Sequence, residues 1–124
     1  NICTNQGLMA LAACVYLALM GKQGLRKVAE LCYHKAHYAA KQISALKGFS
    51  VDQSLPYFHE FVVKCPMPAA RINERLIEQG IIGGYDLVQD YAHFKNHMLV
   101  CVTEMNTKDE IDMFVEALGE VAKQ

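Results

Sequence analysis

An α+β fold is what this sequence predicts: a short, mostly antiparallel sheet with helices on one face, preceded by two helices. Three observations carry it. Leu25–Leu46 places apolar or small residues at Leu25, Val28, Ala29, Cys32, Ala36, Ala39, Ala40, Ile43 and Leu46, which is one face of a long helix. The run Met98–Glu104 (MLVCVTE) is continuously apolar over its first residues and suits the middle of a sheet. Thr107 followed by Glu110 is a capping box that opens a last helix, with Ile111, Phe114, Val115, Leu118 and Val121 on its apolar face.

The remaining elements fill in around these. Thr4 caps a first helix that runs to Gly21. Leu8, Leu11, Ala12, Val15, Tyr16 and Leu19 form a stripe on it, and Met9, Ala13, Leu17 and Met20 cover much of the other side. A helix apolar nearly all round needs enclosure on several sides, more than a chain this short supplies. Because the chain also begins at Asn1 without an initiator Met, the expectation is the end of a longer protein. Its first helix then packs on the missing part or on a second copy. The apolar run Leu8–Met20 is about 13 residues long, short of the roughly 20 a bilayer needs, so no membrane span is expected.

The long helix carries Arg26, Lys27, Glu30, His34, His37 and Lys41 on its polar side and is closed by Gly48. Lys47–Tyr57 is a loop with a short edge strand at Phe49–Val51. Phe58–Cys65 (FHEFVVKC) is a strand, ended by Pro66-Met67-Pro68. Pro68 suits the first turn of a helix with the stripe Ala69, Ile72, Leu76 and Ile77, which Gly80 stops. Ile81–Leu87 (IIGGYDL) is a turn between short extended pieces. The domain division is 1–47 as two linking helices and 48–124 as the small α+β unit.

Composition excludes several classes. The formal net charge is −1, with 52% hydrophobic and 20% charged residues, which argues against disorder and against a general pull toward nucleic acid or anionic lipid. Charge is nevertheless segregated: six basic residues and one acid lie between Lys22 and Lys47, six acids and one base between Glu104 and Glu120. Two solvated faces of opposite sign explain this, or else the basic face receives an acidic partner. Five cysteines without a C-x-x-C point to buried free thiols in a reducing compartment, hence a cytoplasmic location. Cys14, Cys32 and Cys101 all fall in apolar surroundings.

Candidate chemistry is sparse. His34 with His37, and His93 with His97, have spacings at which two rings share a metal, but neither pair has a third ligand nearby, and no metal site is assigned. Any of the thiols could meet His59 in space, though no activating signature surrounds them. Lys35 lies mid-helix on the polar side, where it stays a cation and a surface lysine rather than a Schiff-base nucleophile. Gly83-Gly84 lacks the phosphate-loop pattern and permits a tight turn or close backbone approach.

Asn1–Gln6 (NICTNQ), Phe58–Pro66 (FHEFVVKCP), Gly80–Leu87 (GIIGGYDL) and the following LVCVTEMNTKDEID occur in an order that resembles the glycine decarboxylase (P-protein) family of the glycine cleavage system. The likeness is to the C-terminal portion of subunit 1, where that enzyme is split into two chains. It implies the C-terminal small domain of a fold-type I pyridoxal-phosphate (aminotransferase-like) enzyme. The implied reaction decarboxylates glycine with the cofactor as electron sink and passes the aminomethyl group to the lipoyl group of H-protein. The implied partners are subunit 2, lipoylated H-protein and a second copy through the first helix, with no nucleic acid and no membrane. In split enzymes the Schiff-base lysine belongs to the partner subunit. No catalytic, cofactor-binding or metal residue is therefore carried over, and the chain alone is expected to be inactive and to bind no pyridoxal phosphate tightly. Thr4, Asn5, Gly83, Gly84, Tyr85 and Asp86 are the candidates for cleft or interface contacts, against helix capping and turn geometry as their plain roles. A cysteine desulfurase has a similar element order but not NICTNQ or GGYDL. The reading from another class is a stand-alone α+β interaction or ligand-sensing module.

Overall fold

A computed structural model describes residues 6–122. Its elements are α1 (Gln6–Ser44), β1 (Ser50–Val51), β2 (Glu60–Lys64), α2 (Ala69–Glu78), β3 (Tyr85–Asp86), a 3-10 turn at Leu87–Gln89, β4 (His97–Cys101) and α3 (Lys108–Val121). The chain divides into two compact units between Glu30 and Leu31.

In the first unit α1 runs through the glycine at which the sequence predicts a stop. Gly21 alone leaves the helical region, at φ 58° and ψ −176°, and the helix resumes at once on the other side. Positive φ is what glycine tolerates and other residues resist, so the predicted break is present without a connecting loop. Leu8, Leu11, Val15, Leu17 and Leu19 are all exposed within this unit, as the apolar-all-round pattern foretells for a helix short of neighbours. By length and composition this helix could cross a membrane. The non-helical Gly21 interrupts this apolar stretch.

The second unit is built on a four-stranded antiparallel sheet of order β1-β2-β4-β3. The apolar run of β4 lies centrally, as expected, flanked by β2 and β3. Phe61, Val63, Met98 and Val100 alternate onto one face and join a core with Ala36, Ala39, Ala40 and Ile43 of α1, Ile72 and Leu76 of α2, and Ile111, Leu118 and Val121 of α3. Helices thus cover one face, and Glu60, Val62, Leu99 and Cys101 lie on the other. Within the second unit the apolar face of the long helix is buried at Cys32, Ala36, Ala39, Ala40 and Ile43.

Local chemistry explains the helix ends. α2 closes in a Schellman motif, with Gly80 at φ 74°, the Gly80 N–H donating to Ile77 O and the Ile81 N–H to Leu76 O. Ile77 is 65% exposed, contrary to the predicted stripe, because Leu76 already takes the core direction and the next residue is turned about 100° away. Thr107 and Glu110 form the expected capping box of α3, each side chain accepting from the other's backbone N–H. Thr107→Ala should lower stability by about 0.5–2 kcal/mol, read as a lower urea midpoint with an unchanged m value.

Candidate functional site

At Gly84 the predicted loop makes a backbone approach that only glycine permits. A Cβ on Gly84 would lie 2.5 Å from Leu99 O and 2.6 Å from Met98 Cγ; one on Gly83 would lie 2.1 Å from Asn73 Oδ1. Asn73 Nδ2 donates to Gly84 O at 2.7 Å, tying α2 to the loop just before β3. Tyr85 then pairs with Leu99 and Asp86 with Met98. The two differ in direction: Tyr85 is half-exposed and its hydroxyl donates to Asp90 at 2.8 Å, while Asp86 is buried and accepts from Val88 N–H, capping the 3-10 turn.

Gly83, Gly84 and Tyr85 line a cavity of about 590 Å³ between the β3–β4 part of the sheet and the start of α3. Glu60 of β2, Leu99 and Cys101 of β4, and Asn106, Glu110 and Met113 around the start of α3 also line its wall, with core residues such as Val100, Ile111 and Phe114 behind them. Asp86 is not part of it. The charged groups in this wall are carboxylates, and no lysine or arginine contributes. Such a lining does not suit the phosphate of a cofactor such as pyridoxal phosphate, which is drawn to basic side chains and helix N-termini.

Lys35 proves to be more than a surface lysine. It is half-buried, and its ammonium donates to Glu104 O and Asn106 O, each at 2.5 Å, pinning the segment between β4 and α3. Two of its donors are thereby engaged on backbone carbonyls. α1 and α3 also meet within the unit, the Tyr38 hydroxyl of α1 donating to Asp112 of α3 at 2.6 Å, and the ion pair beside it, Lys108–Asp112, lies within α3.

The histidine pairs do not form sites. His37 stacks on Tyr57 at 4.2 Å between ring centres, and its Nδ1 lies 2.8 Å from Tyr33 O, while His34 faces solvent. His93 belongs to a turn and His97 to β4, so their spacing of four is not helical. Thr4 and Asn5 lie outside the described residues. The structure does bring together His59, Glu60 and Cys101, whose donor atoms all lie within 4.8 Å of one another. The idea that a thiol meets His59 was legible; which thiol depends on the register of β2 against β4.

The cysteines divide by environment rather than all being buried. Cys32 and Cys65 are buried, whereas Cys14 and Cys101 are exposed, Cys14 because its helix lacks neighbours in its unit and Cys101 because it ends β4 on the open face. Desolvation, then the negative charge of Asp86, pushes the Cys65 thiol from 9.0 to about 12. The folded thiol keeps its proton where the unfolded one loses it, so stability is intact below about pH 9 and falls as pH rises through that interval. Alkylation of the native chain should modify Cys14 and Cys101 and spare Cys32 and Cys65, with mass mapping of the labelled peptides as the check.

Known proteins resemble the whole of this arrangement. A family model described as glycine cleavage system P-protein matches residues 1–118. The probable glycine dehydrogenase (decarboxylating) subunit 1 of Thermomicrobium roseum is 57% identical over 120 residues, taking in 97% of this chain and 27% of that protein. Its counterpart in Bacillus cereus strain AH187 is 50% identical over 121 residues, again 98% of this chain and 27% of that protein. The chain therefore spans about 27% of the length of the curated relatives it matches. Among solved structures, an inhibitor-bound glycine decarboxylase (P-protein) of the glycine cleavage system superposes with a TM-score of 0.84 at 30% identity, over 98% of this chain and 27% of that one. A phosphoserine aminotransferase from Cytophaga hutchinsonii shares the fold alone, with a TM-score of 0.62 at 19% identity over 84% of this chain and 28% of that one. The fold is accordingly that of the small α+β domain in aminotransferase-like, fold-type I enzymes. By the family model and by relatives alike along nearly its full length, this chain belongs to the glycine cleavage system P-protein family.

Proposed function

We propose that the chain is the C-terminal portion of subunit 1 of a glycine dehydrogenase (decarboxylating), and that it serves the enzyme as a supporting domain. The whole enzyme decarboxylates glycine with pyridoxal phosphate, which supplies the electron sink, and passes the aminomethyl group to the lipoyl group of H-protein. The observation that carries this reading is the 57% identity to such a subunit over 97% of the chain.

The chain's own groups support a holding role. Lys35 is spent on two backbone carbonyls, and the 590 Å³ cavity has carboxylates where a phosphate site has cations. The lysine and the phosphate contacts that hold the cofactor accordingly belong to other parts of the enzyme. Gly83, Gly84 and Tyr85, and with them Thr4 and Asn5, are placed in this reading where the small domain meets its neighbours in the assembled enzyme. The exposed Arg26, Lys27 and Lys41 are the contacts proposed for subunit 2 or H-protein, with a cytoplasmic location for the complex.

The test is glycine–bicarbonate carbon exchange by whole subunit 1 carrying this segment, mixed with subunit 2 and lipoylated H-protein. Exchange that requires all three components and glycine is the expected result. An assembled complex that performs no exchange contradicts the proposal. Reversing the charges at Arg26, Lys27 and Lys41 should weaken assembly in the same assay; unchanged assembly and turnover contradict the docking role of that face.

A further inference from the structure

We propose that His59, Glu60 and Cys101 form a binding site for a divalent transition-metal ion of the zinc class, at the rim of the cavity between the sheet and the start of α3. Strand register sets the geometry. Glu60 and Cys101 are direct cross-strand partners on β2 and β4, so their side chains leave the same face side by side. His59 precedes β2, and its carbonyl accepts from Val102 N–H at 2.9 Å, which extends the paired backbone past the last ladder position. All three residues are therefore held by the backbone of the two central strands rather than by mobile loops. A ring nitrogen, a carboxylate oxygen and a sulfur come within 4.8 Å of one another, close enough for modest side-chain rotation to bring them onto one ion.

The donor chemistry selects the ion. Thiolate, imidazole and carboxylate together suit zinc or cobalt, whereas magnesium and calcium favour oxygen alone. A second observation points the same way. Nδ1 of His59 is buried with no hydrogen-bond partner among the described residues, an unusual state for an imidazole that metal ligation or the tautomer it fixes would relieve. Binding releases one proton, because the Cys101 thiol becomes the thiolate that ligates the ion. With three protein donors, one position is left for water. Glu60 and Cys101 also line the cavity, so that position is reached from it.

The experiment titrates the reduced, metal-free full chain with Co²⁺, then with Zn²⁺. One equivalent of Co²⁺ should give the charge-transfer absorption of a thiolate–cobalt bond, and Zn²⁺ should abolish it by displacement. Cys101→Ser should remove the band. Glu60→Gln and His59→Gln should each weaken binding by at least about tenfold. Cys3→Ser and Cys14→Ser should change nothing. Circular dichroism establishes that each variant is folded, and Glu60→Gln, at an exposed position, keeps the test decisive if His59→Gln is not. A band that survives Cys101→Ser, that disappears with Cys14→Ser, or that never forms in excess Co²⁺ overturns the proposal.

Discussion

Leu76→Ala should destabilise the chain by about 2–5 kcal/mol. Leu76 is completely buried and belongs to the core shared by the three helices and the sheet. It also stands where α2 ends. Its carbonyl accepts from Gln79 and Ile81, and its Cδ1 is 2.9 Å from where a Cβ on Gly83 would sit. Truncation therefore leaves a cavity between α2 and the loop as well as lost apolar burial. Because that backbone is already fixed by the Schellman turn, the walls have little freedom to collapse, and the loss belongs toward the upper end of the range. Urea denaturation followed by circular dichroism measures it; a change under about 1 kcal/mol would mean that the site relaxes freely.

Gly84→Val should be nearly as damaging, for a different reason. Here the first added atom meets a backbone carbonyl, Leu99 O, at 2.5 Å, and no rotamer change relieves it. Either β3 separates from β4 or the central strand shifts. Overpacking of this kind costs about 1–3 kcal/mol, and separation of β3 adds the loss of its pairing and of the Asn73–Gly84 hydrogen bond. Tyr85 would leave its place opposite Leu99, and the cavity wall with it. Gly7→Ala provides the contrast: nothing lies within 4 Å of its Cβ position, and the change should be neutral or slightly stabilising. A Gly84→Val chain with the midpoint of Gly7→Ala would refute the close packing.

Much of this architecture was legible because it is written in local chemistry. Thr107 and Glu110 specify a helix start by hydrogen bonds across a single turn, and Gly80 specifies an end through one dihedral angle. The paired glycines signalled close approach even though the sequence does not name Leu99 or Asn73 as what is approached. What escaped depends on contacts distant in sequence. Lys35 looks like any solvated lysine until the carbonyls of Glu104 and Asn106 are brought to it. Cys101 sits in an apolar run, yet strand alternation turns it to the open face. Periodicity assigned Ile77 to the core because it lies on the margin of an apolar stripe, and the core beneath α2 is taken by Ala69, Ile72 and Leu76. The grouping of His59 and Glu60 with Cys101 needs the β2–β4 register, which no local pattern encodes.

We propose that this chain supports a reaction centre without containing one. Absorbance titration of the purified chain with pyridoxal phosphate tests it most directly. The account predicts only the weak, non-saturating spectral change of scattered surface lysines, unaltered by Lys35→Met. A saturable one-to-one complex with the absorption of a lysine-bound cofactor would contradict it.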